Sequence, residues 1–408
     1  MIWSFLKFFA MLMGLIASIH WFIYKSSIQF LPPLNTSACR HVFLRLIVFL
    51  ALSFPLFLLV NHFWGGVITR FLNVISGTWF ALAIYLAMAF ISLWILKGIL
   101  VILPISQEKL FLLMMYGVWV SMVIVLFYMI GGLINAISLK ATRVDVAIKD
   151  LPAYWEGKTI MQVSDVHLGT IWGEGRLRQI VKIAKENNPE VIAMTGDLFD
   201  GSTGKQQMFA ESLRQLSDVK PGHIFFTSGN HERYASYKNC LDTIQQAHIH
   251  LLENDLVNVH GLQFIGISYP DLRGENKTPD EFHFHKHPDY KKGRPSVLLY
   301  HTPTDFHDNK LLLADIQRKA YINPETNFEN ANKAGIDLQL SGHTHGGQFA
   351  PFVFLTKIIY HGFHYGLHRV GDFQIYISTG AGTWGPPIRH IAGEVALLRL
   401  TRDKEKNH

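Results

Sequence analysis

The hydrophobic pattern changes character about a third of the way along the chain. Up to residue 139, apolar residues run almost unbroken in four blocks, about 4–24, 42–61, 73–96 and 110–135. Each approaches the roughly 20 residues an α-helix needs to cross a hydrocarbon core. None carries Asp, Glu or Lys deep inside, as a transporter or proton pump usually would. The pattern predicts four transmembrane helices, a multi-pass anchor in the cell membrane with both termini on one side. The first block is too long for a signal peptide, and no small-residue cleavage site follows it.

Residues 140–158 read as a linker. From 159 onward the chain alternates between two periods. Short apolar runs predict strands at 159–164, 191–195, 223–227 and 296–300, and at 336–340. Later runs at about 249–252, 256–259, 262–267, 373–378 and 393–400 predict more. Between the early strands, residues 174–187 carry apolar positions at 177, 180, 181 and 184, a helical spacing closed by Asn187, Asn188 and Pro189. Helices are also predicted over 206–216 and 235–247. Strands alternating with helices, then strands in succession, imply an α/β domain with mixed sheets. Residues 271–294 are polar and include His283, His285 and His287. They read as a solvated insertion, a flap facing substrate.

Charge sharpens this division. Seven of the 37 basic residues and one of the 31 acidic residues lie within 1–139, leaving 30 of each sign for the remainder. The net +6 therefore belongs to the apolar third. The α/β part is neutral and gives no basis for nucleic-acid binding, which needs a basic patch on the folded domain. Positive charges divide nearly evenly between the two faces of the spans, tilting toward a catalytic domain outside the cytoplasm. The two cysteines, Cys39 and Cys240, make neither a disulfide framework nor a metal site.

The chemistry lies where strands run out. Five predicted strands end in polar clusters: Ser164-Asp165-Val166-His167, Thr195-Gly196-Asp197 with Asp200, Ser228-Gly229-Asn230-His231-Glu232, Tyr300-His301-Thr302-Pro303, and Ser341-Gly342-His343-Thr344-His345. Each alone is a common turn sequence. Together they fall on one edge of the sheets, where open α/β folds bind ligands. An inventory of Asp, His and Asn without Cys suits divalent ions such as manganese, iron or zinc. Seven candidate ligands exceed the needs of one ion and suit two that share a carboxylate.

The order Asp-x-His, Gly-Asp, Gly-Asn-His-Glu, His, Gly-His-Thr-His resembles that of the calcineurin-like metallophosphoesterases, over about residues 155–400. Ser341 to Gln348 and Gly382-Thr383-Trp384-Gly385-Pro386-Pro387-Ile388-Arg389 are similar to a membrane-associated, bacterial-type branch, some members of which carry N-terminal transmembrane helices. The resemblance implies a four-layer α/β sandwich over 159–408, two mixed β-sheets flanked by helices. It implies one divalent ion on Asp165, His167, Asp197 and His345, and a second on Asp197, Asn230, His301 and His343. It makes His231 a general acid, Glu232 the residue orienting it, and Arg389 a holder of a second phosphate or a substrate head group. The implied reaction is hydrolysis of a phosphate ester or pyrophosphate, of phosphodiesterase or pyrophosphatase type, by a hydroxide bridging two metal ions. Four membrane spans make a lipid or lipid-linked substrate the natural expectation. The alternatives are a non-catalytic metal-binding scaffold, which would lack ligands that this chain keeps, and a membrane sensor, which would carry ionisable groups deep in its spans.

Overall fold

The structure, a computed structural model, describes residues 2–200, 205–234, 236–269, 284–306 and 323–403. The chain divides into two compact units: Met1–Ile134 with Gly385–Ile388, and Asn135–Trp384 with Arg389–His408.

The first unit is helical. Helices α1 (Ile2–Phe30), α2 (Ser37–Trp64), α3 (Val67–Leu100) and α4 (Gln107–Ile137) each contain a stretch long and apolar enough to cross a membrane. They extend several residues beyond the apolar blocks, because helix propagation continues through flanking polar residues while backbone hydrogen bonds can still be made. The Thr36 hydroxyl accepts from the Cys39 N–H and starts α2. Tyr24, Phe90, Leu93, Met114 and Val118 pack an internal core. Phe49, Phe71, Ile95 and Phe127 point outward, an inversion of a water-soluble bundle that suits lipid as the solvent.

The second unit holds twelve strands among the described residues. They are β1 (Leu139–Ile148), β2 (Thr159–Val163), β3 (Val191–Thr195), β4 (Ile224–Thr227), β5 (His250–Leu251), β6 (Asp255–Val259), β7 (Leu262–Gly266), β8 (Ser296–Leu299), β9 (Leu338–Ser341), β10 (Gly366–Val370), β11 (Phe373–Ile377) and β12 (Gly393–Arg402). One sheet has the order β1-β12-β2-β3-β4-β5 and the other β10-β11-β9-β8-β7-β6. Both are mixed: β2, β3 and β4 run parallel, as do β7, β8, β9 and β11, while β12 is antiparallel to β2 and β6 to β7. The sheets face each other through Ile160, Val191, Ala193 and Phe225 on one side and Phe264, Val297, Leu299 and Leu340 on the other.

Helices cover the outer face of the first sheet. These are α5 (Glu174–Asn187), α6 (Ala210–Ser217) and α8 (Tyr237–Gln246), with the one-turn α7 (Asn230–Tyr234) just before the last. Leu177, Ile180, Leu213 and Ile244 pack there on Met161, Val163 and Met194. Phe328 and Ala331 cover the outer face of the second sheet. The result is the four-layer sandwich.

One expectation is revised. The segment read as a linker contains β1, which pairs parallel with β12 along its whole length. Val146 and Ile148 bury into the inter-sheet core, and outward Asp145 meets Arg399 at 2.7 Å. The polar stretch 271–294 falls largely outside the described residues. Of its histidines, His287 pairs with Asp255 at 3.1 Å.

Candidate metal centre

Parallel neighbours point the same way, so the C-terminal ends of β2, β3, β4, β8 and β9 bring their polar clusters to one edge. Asp165 and His167 follow β2; Asp197 and Asp200 follow β3; Asn230, His231 and Glu232 follow β4; His301 follows β8; His343 and His345 follow β9. Five of the seven candidate ligands adopt left-handed backbone: Asp165, His167 and Asp197 at φ 52°, His343 at 70° and His345 at 51°. Such conformations cost L-residues about 1–3 kcal/mol each and persist where surrounding structure enforces them. Glycines let the loops close. A Cβ on Gly342 would collide with the Asp165 carboxylate and the Ser164 hydroxyl, and one on Gly229 with the Asp197 carboxylate.

The candidate ligands converge in two groups, and a third cluster joins His167 to Asp200 and His231. In the first, Asp165, His167 and His345 present one ligand atom each within 4.8 Å of one another. His167 Nε2 lies 3.0 Å from His345 Nε2, and His345 Nε2 lies 3.3 Å from Asp165 Oδ1. In the second, Asp197, His301 and His343 do the same. Asn230 Oδ1 stands 3.1 Å from His301 Nε2 and 3.0 Å from His343 Nδ1. Asp197 Oδ2 sits between the groups, 3.2 Å from His301 Nε2 and 3.9 Å from His167 Nε2. Its other oxygen accepts the His231 N–H at 2.9 Å. Lone-pair atoms facing each other at these distances in a buried pocket fit divalent cations between them, and the O/N donor set is that of such ions.

Residues 158–347 match the profile of the calcineurin-like phosphoesterases. The chain carries a calcineurin-like metallophosphoesterase domain. An uncharacterized metallophosphoesterase of Helicobacter pylori is 31% identical over 261 residues, which are 62% of this chain and 63% of that protein. One of Campylobacter jejuni is 27% identical over 343 residues, 81% of this chain and 84% of its own. A transmembrane protein with metallophosphoesterase domain from Danio rerio is 28% identical over 282 residues, 63% and 56% of the two lengths. The chain thus spans a little under two thirds of the Helicobacter pylori relative and just over half of the Danio rerio one.

Around the candidate metal centre, backbone carbonyls orient two of the imidazoles. His301 Nδ1 lies 2.8 Å from the Thr195 carbonyl, which leaves Nε2 toward Asp197. His231 Nδ1 lies 2.8 Å from the Asp200 carbonyl. The Asp200 carboxylate lies 3.5 Å from His167 Nδ1, behind that ring. Asp200 had no assigned role in the sequence; its only signal there is its position three residues after Asp197.

The charges are strongly coupled. Burial presses Asp197 upward, but His301, His231 and His167 outweigh it and hold the carboxyl well below the usual range. Burial would lower His301, yet Asp197 raises it to about 10. Burial and the neighbouring His301 push His343 down to about 3. Burial and His167 likewise depress His345. His343 and His345 are therefore neutral at pH 7, the form that ligates metal.

Glu232 and Arg389 both bond to main chain. Among the described residues Glu232 makes no hydrogen bond to the His231 ring. Its carboxylate is buried and accepts the N–H groups of Asp197 at 2.9 Å, Gly229 at 2.8 Å and Phe199 at 3.1 Å. It ties the β3 and β4 loops together instead of orienting an acid. Arg389 is only 1% exposed. Its guanidinium donates to the carbonyls of Gly382, Thr379 and Ile391 and reaches that of His345 at 3.5 Å. Its guanidinium is committed to main chain and sealed from solvent.

Proposed function

We propose that the chain is a membrane-anchored hydrolase of phosphate esters or pyrophosphates that works with two divalent cations. The observation that carries this reading is the Asp197 carboxylate standing between two imidazole-rich groups. Asp165, His167, Asp197 and His345 would hold one cation, and Asp197, Asn230, His301 and His343 the other. When bound, such a pair supplies Lewis acidity toward phosphoryl oxygens and makes a nucleophile of water at neutral pH.

The chain's own residues do the rest. His231 gives its Nδ1 to the Asp200 carbonyl, which leaves Nε2 to deliver a proton to the leaving oxygen. General acid assistance of this kind is typically worth about 10²–10⁴ in rate. Glu232 holds the Asp197 and Gly229 backbones at the separation the shared carboxylate requires. Asp200 backs the His167 ring. The four apolar helices keep this machinery at a bilayer, which favours a lipid or lipid-linked phosphate as substrate.

The test is hydrolysis by the full chain in lipid nanodiscs, stripped of metal and reloaded with manganese. Bis(p-nitrophenyl) phosphate and p-nitrophenyl phosphate would be compared, with His231→Ala beside the wild type. Manganese-dependent turnover that falls about 10²–10⁴-fold in the variant is expected. Full activity in the variant would remove His231 from the mechanism, and no turnover with both cations bound would refute the hydrolase.

A further inference from the structure

The short helix Phe352–Ile359, which begins four residues after the His343–Gln348 loop, is built inside out. A helix on the surface of a water-soluble domain turns its apolar stripe inward, as α5 does with Leu177, Ile180, Val181 and Ala184. Here no residue is buried. Phe354 is 67% exposed, Leu355 48% and Ile358 71%, and Phe352 and Ile359 complete the same outward arc. Thr356 lies on the half-buried side. Trp384 and Tyr365, both about half exposed, stand on neighbouring loops.

This apolar ridge is fastened to the metal centre at both ends. At its start, the backbone of Val353 packs so closely on Gly347 that a Cβ there would collide with it. At its end, buried Tyr360 sets its ring edge-on to His343, centroids 6.3 Å apart. Trp384 is held by Gln348, whose side chain donates to its carbonyl at 2.9 Å and accepts its N–H at 2.7 Å. Contiguous exposed apolar surface of this kind marks an interaction site.

We infer that the helix Phe352–Ile359, with Trp384 and Tyr365, docks into the lipid surface of the bilayer and sets the metal centre at head-group level. The inference rests on the membrane-anchored reading of the four apolar helices. The occupant follows from chain continuity. Residues 135–137 close α4 yet belong to the second unit, where buried Arg176 bonds the Ala136 carbonyl at 2.5 Å and the Ile137 carbonyl at 3.3 Å. Ser138 alone separates α4 from β1. So short a join tethers the domain that carries the ridge to the last membrane span. An outward apolar arc beside aromatic rings, with Lys357 at its edge, is the composition of a helix lying in a membrane interface.

The test uses the full chain in vesicles of phosphatidylcholine and phosphatidylglycerol. Exposed Cys39 is replaced by Ser, and buried Cys240 is left in place. Spin labels are attached singly through Phe354→Cys, Ile358→Cys, Phe127→Cys in α4 and Lys182→Cys on the polar face of α5. Collision with oxygen, which partitions into lipid, is compared with collision with a water-soluble nickel chelate. Labels at 354 and 358 are expected to favour oxygen several-fold over the label at 182, as the label at 127 does. Nickel access at 354 and 358 equal to that at 182, with 127 in lipid, overturns the inference and leaves the membrane reading standing. Nickel access at 127 as well overturns both. Protection of 354 and 358 from both reagents means that protein covers the ridge, a second copy or another partner, and also overturns it.

Discussion

Replacing Glu232 by Ala separates a structural clamp from a catalytic carboxylate. The clamp closes three buried N–H groups, those of Asp197, Gly229 and Phe199. Orphaning a buried donor costs about 1–3 kcal/mol, so the three together set a loss of roughly 3–9 kcal/mol. Part is recovered, because burial, reinforced by the adjacent Asp197, pushes the Glu232 carboxyl up to about 7. Relieving a shift of that size returns up to about 3 kcal/mol. The net expectation is a loss of about 3 kcal/mol, or roughly 6–12 °C in melting temperature for a domain of this size. Cation affinity should fall with it, since the loops carrying Asp197 and Asn230 lose their shared anchor.

The pH dependence adds a check. A raised carboxyl pKa stabilises the metal-free fold fully below about 4.5, and that contribution is lost as pH climbs through about 7. The gap between wild type and variant should therefore narrow over that window. The assay is thermal unfolding of metal-free and manganese-loaded full-length chain in nanodiscs, followed by near-ultraviolet circular dichroism. Glu232→Gln, which keeps one acceptor oxygen, should fall between the two. Unchanged melting and cation affinity with turnover abolished in Glu232→Gln would refute the clamp and restore a direct role beside His231.

Three further outcomes are expected. Asp200→Asn removes the carboxylate behind His167 and should lower cation affinity or activity about 10–100-fold with little change in melting, measured by manganese titration. Arg389→Ala should cost several kcal/mol in unfolding, since each orphaned carbonyl costs about 1–3 kcal/mol, and should leave KM for small esters unchanged; a raised KM with normal melting would return Arg389 to substrate binding. Because Asp197 holds His301 protonated up to about 10, cation binding must displace that proton, and affinity should rise about tenfold per pH unit across neutrality. In the metal-free chain the same pair stabilises the fold fully below about 6.5 and loses this as pH rises through about 10. Calorimetry in buffers of different ionisation enthalpy reads the released proton directly.

What could be read from the sequence was set by periodicity and by residue type. The strand Val191–Thr195 and the helix Glu174–Asn187 lie where their apolar spacing puts them, because both bury on defined faces. The five polar clusters were visible because each follows such a strand. Strand β1 was hidden. Its alternation at Val144, Val146 and Ile148 starts immediately after an apolar span, and its partner β12 lies some 250 residues away. The helix Phe352–Ile359 was hidden for the opposite reason: in a run of eight with only Thr356 and Lys357 polar, too little of a polar face remains to give a period. Glu232 and Arg389 show the deeper limit. Sequence gives a carboxylate and a guanidinium near the centre, but only the fold shows that both are spent on main-chain groups.

The central claim is that one carboxylate, Asp197, serves both cations. It is tested most directly by counting manganese bound per full-length chain, by equilibrium dialysis and elemental analysis, in wild type, Asp197→Ala and His345→Ala. The account predicts two tightly bound ions in the wild type, one in His345→Ala, and weakening of both sites in Asp197→Ala. An Asp197→Ala chain that keeps one ion at wild-type affinity would contradict it.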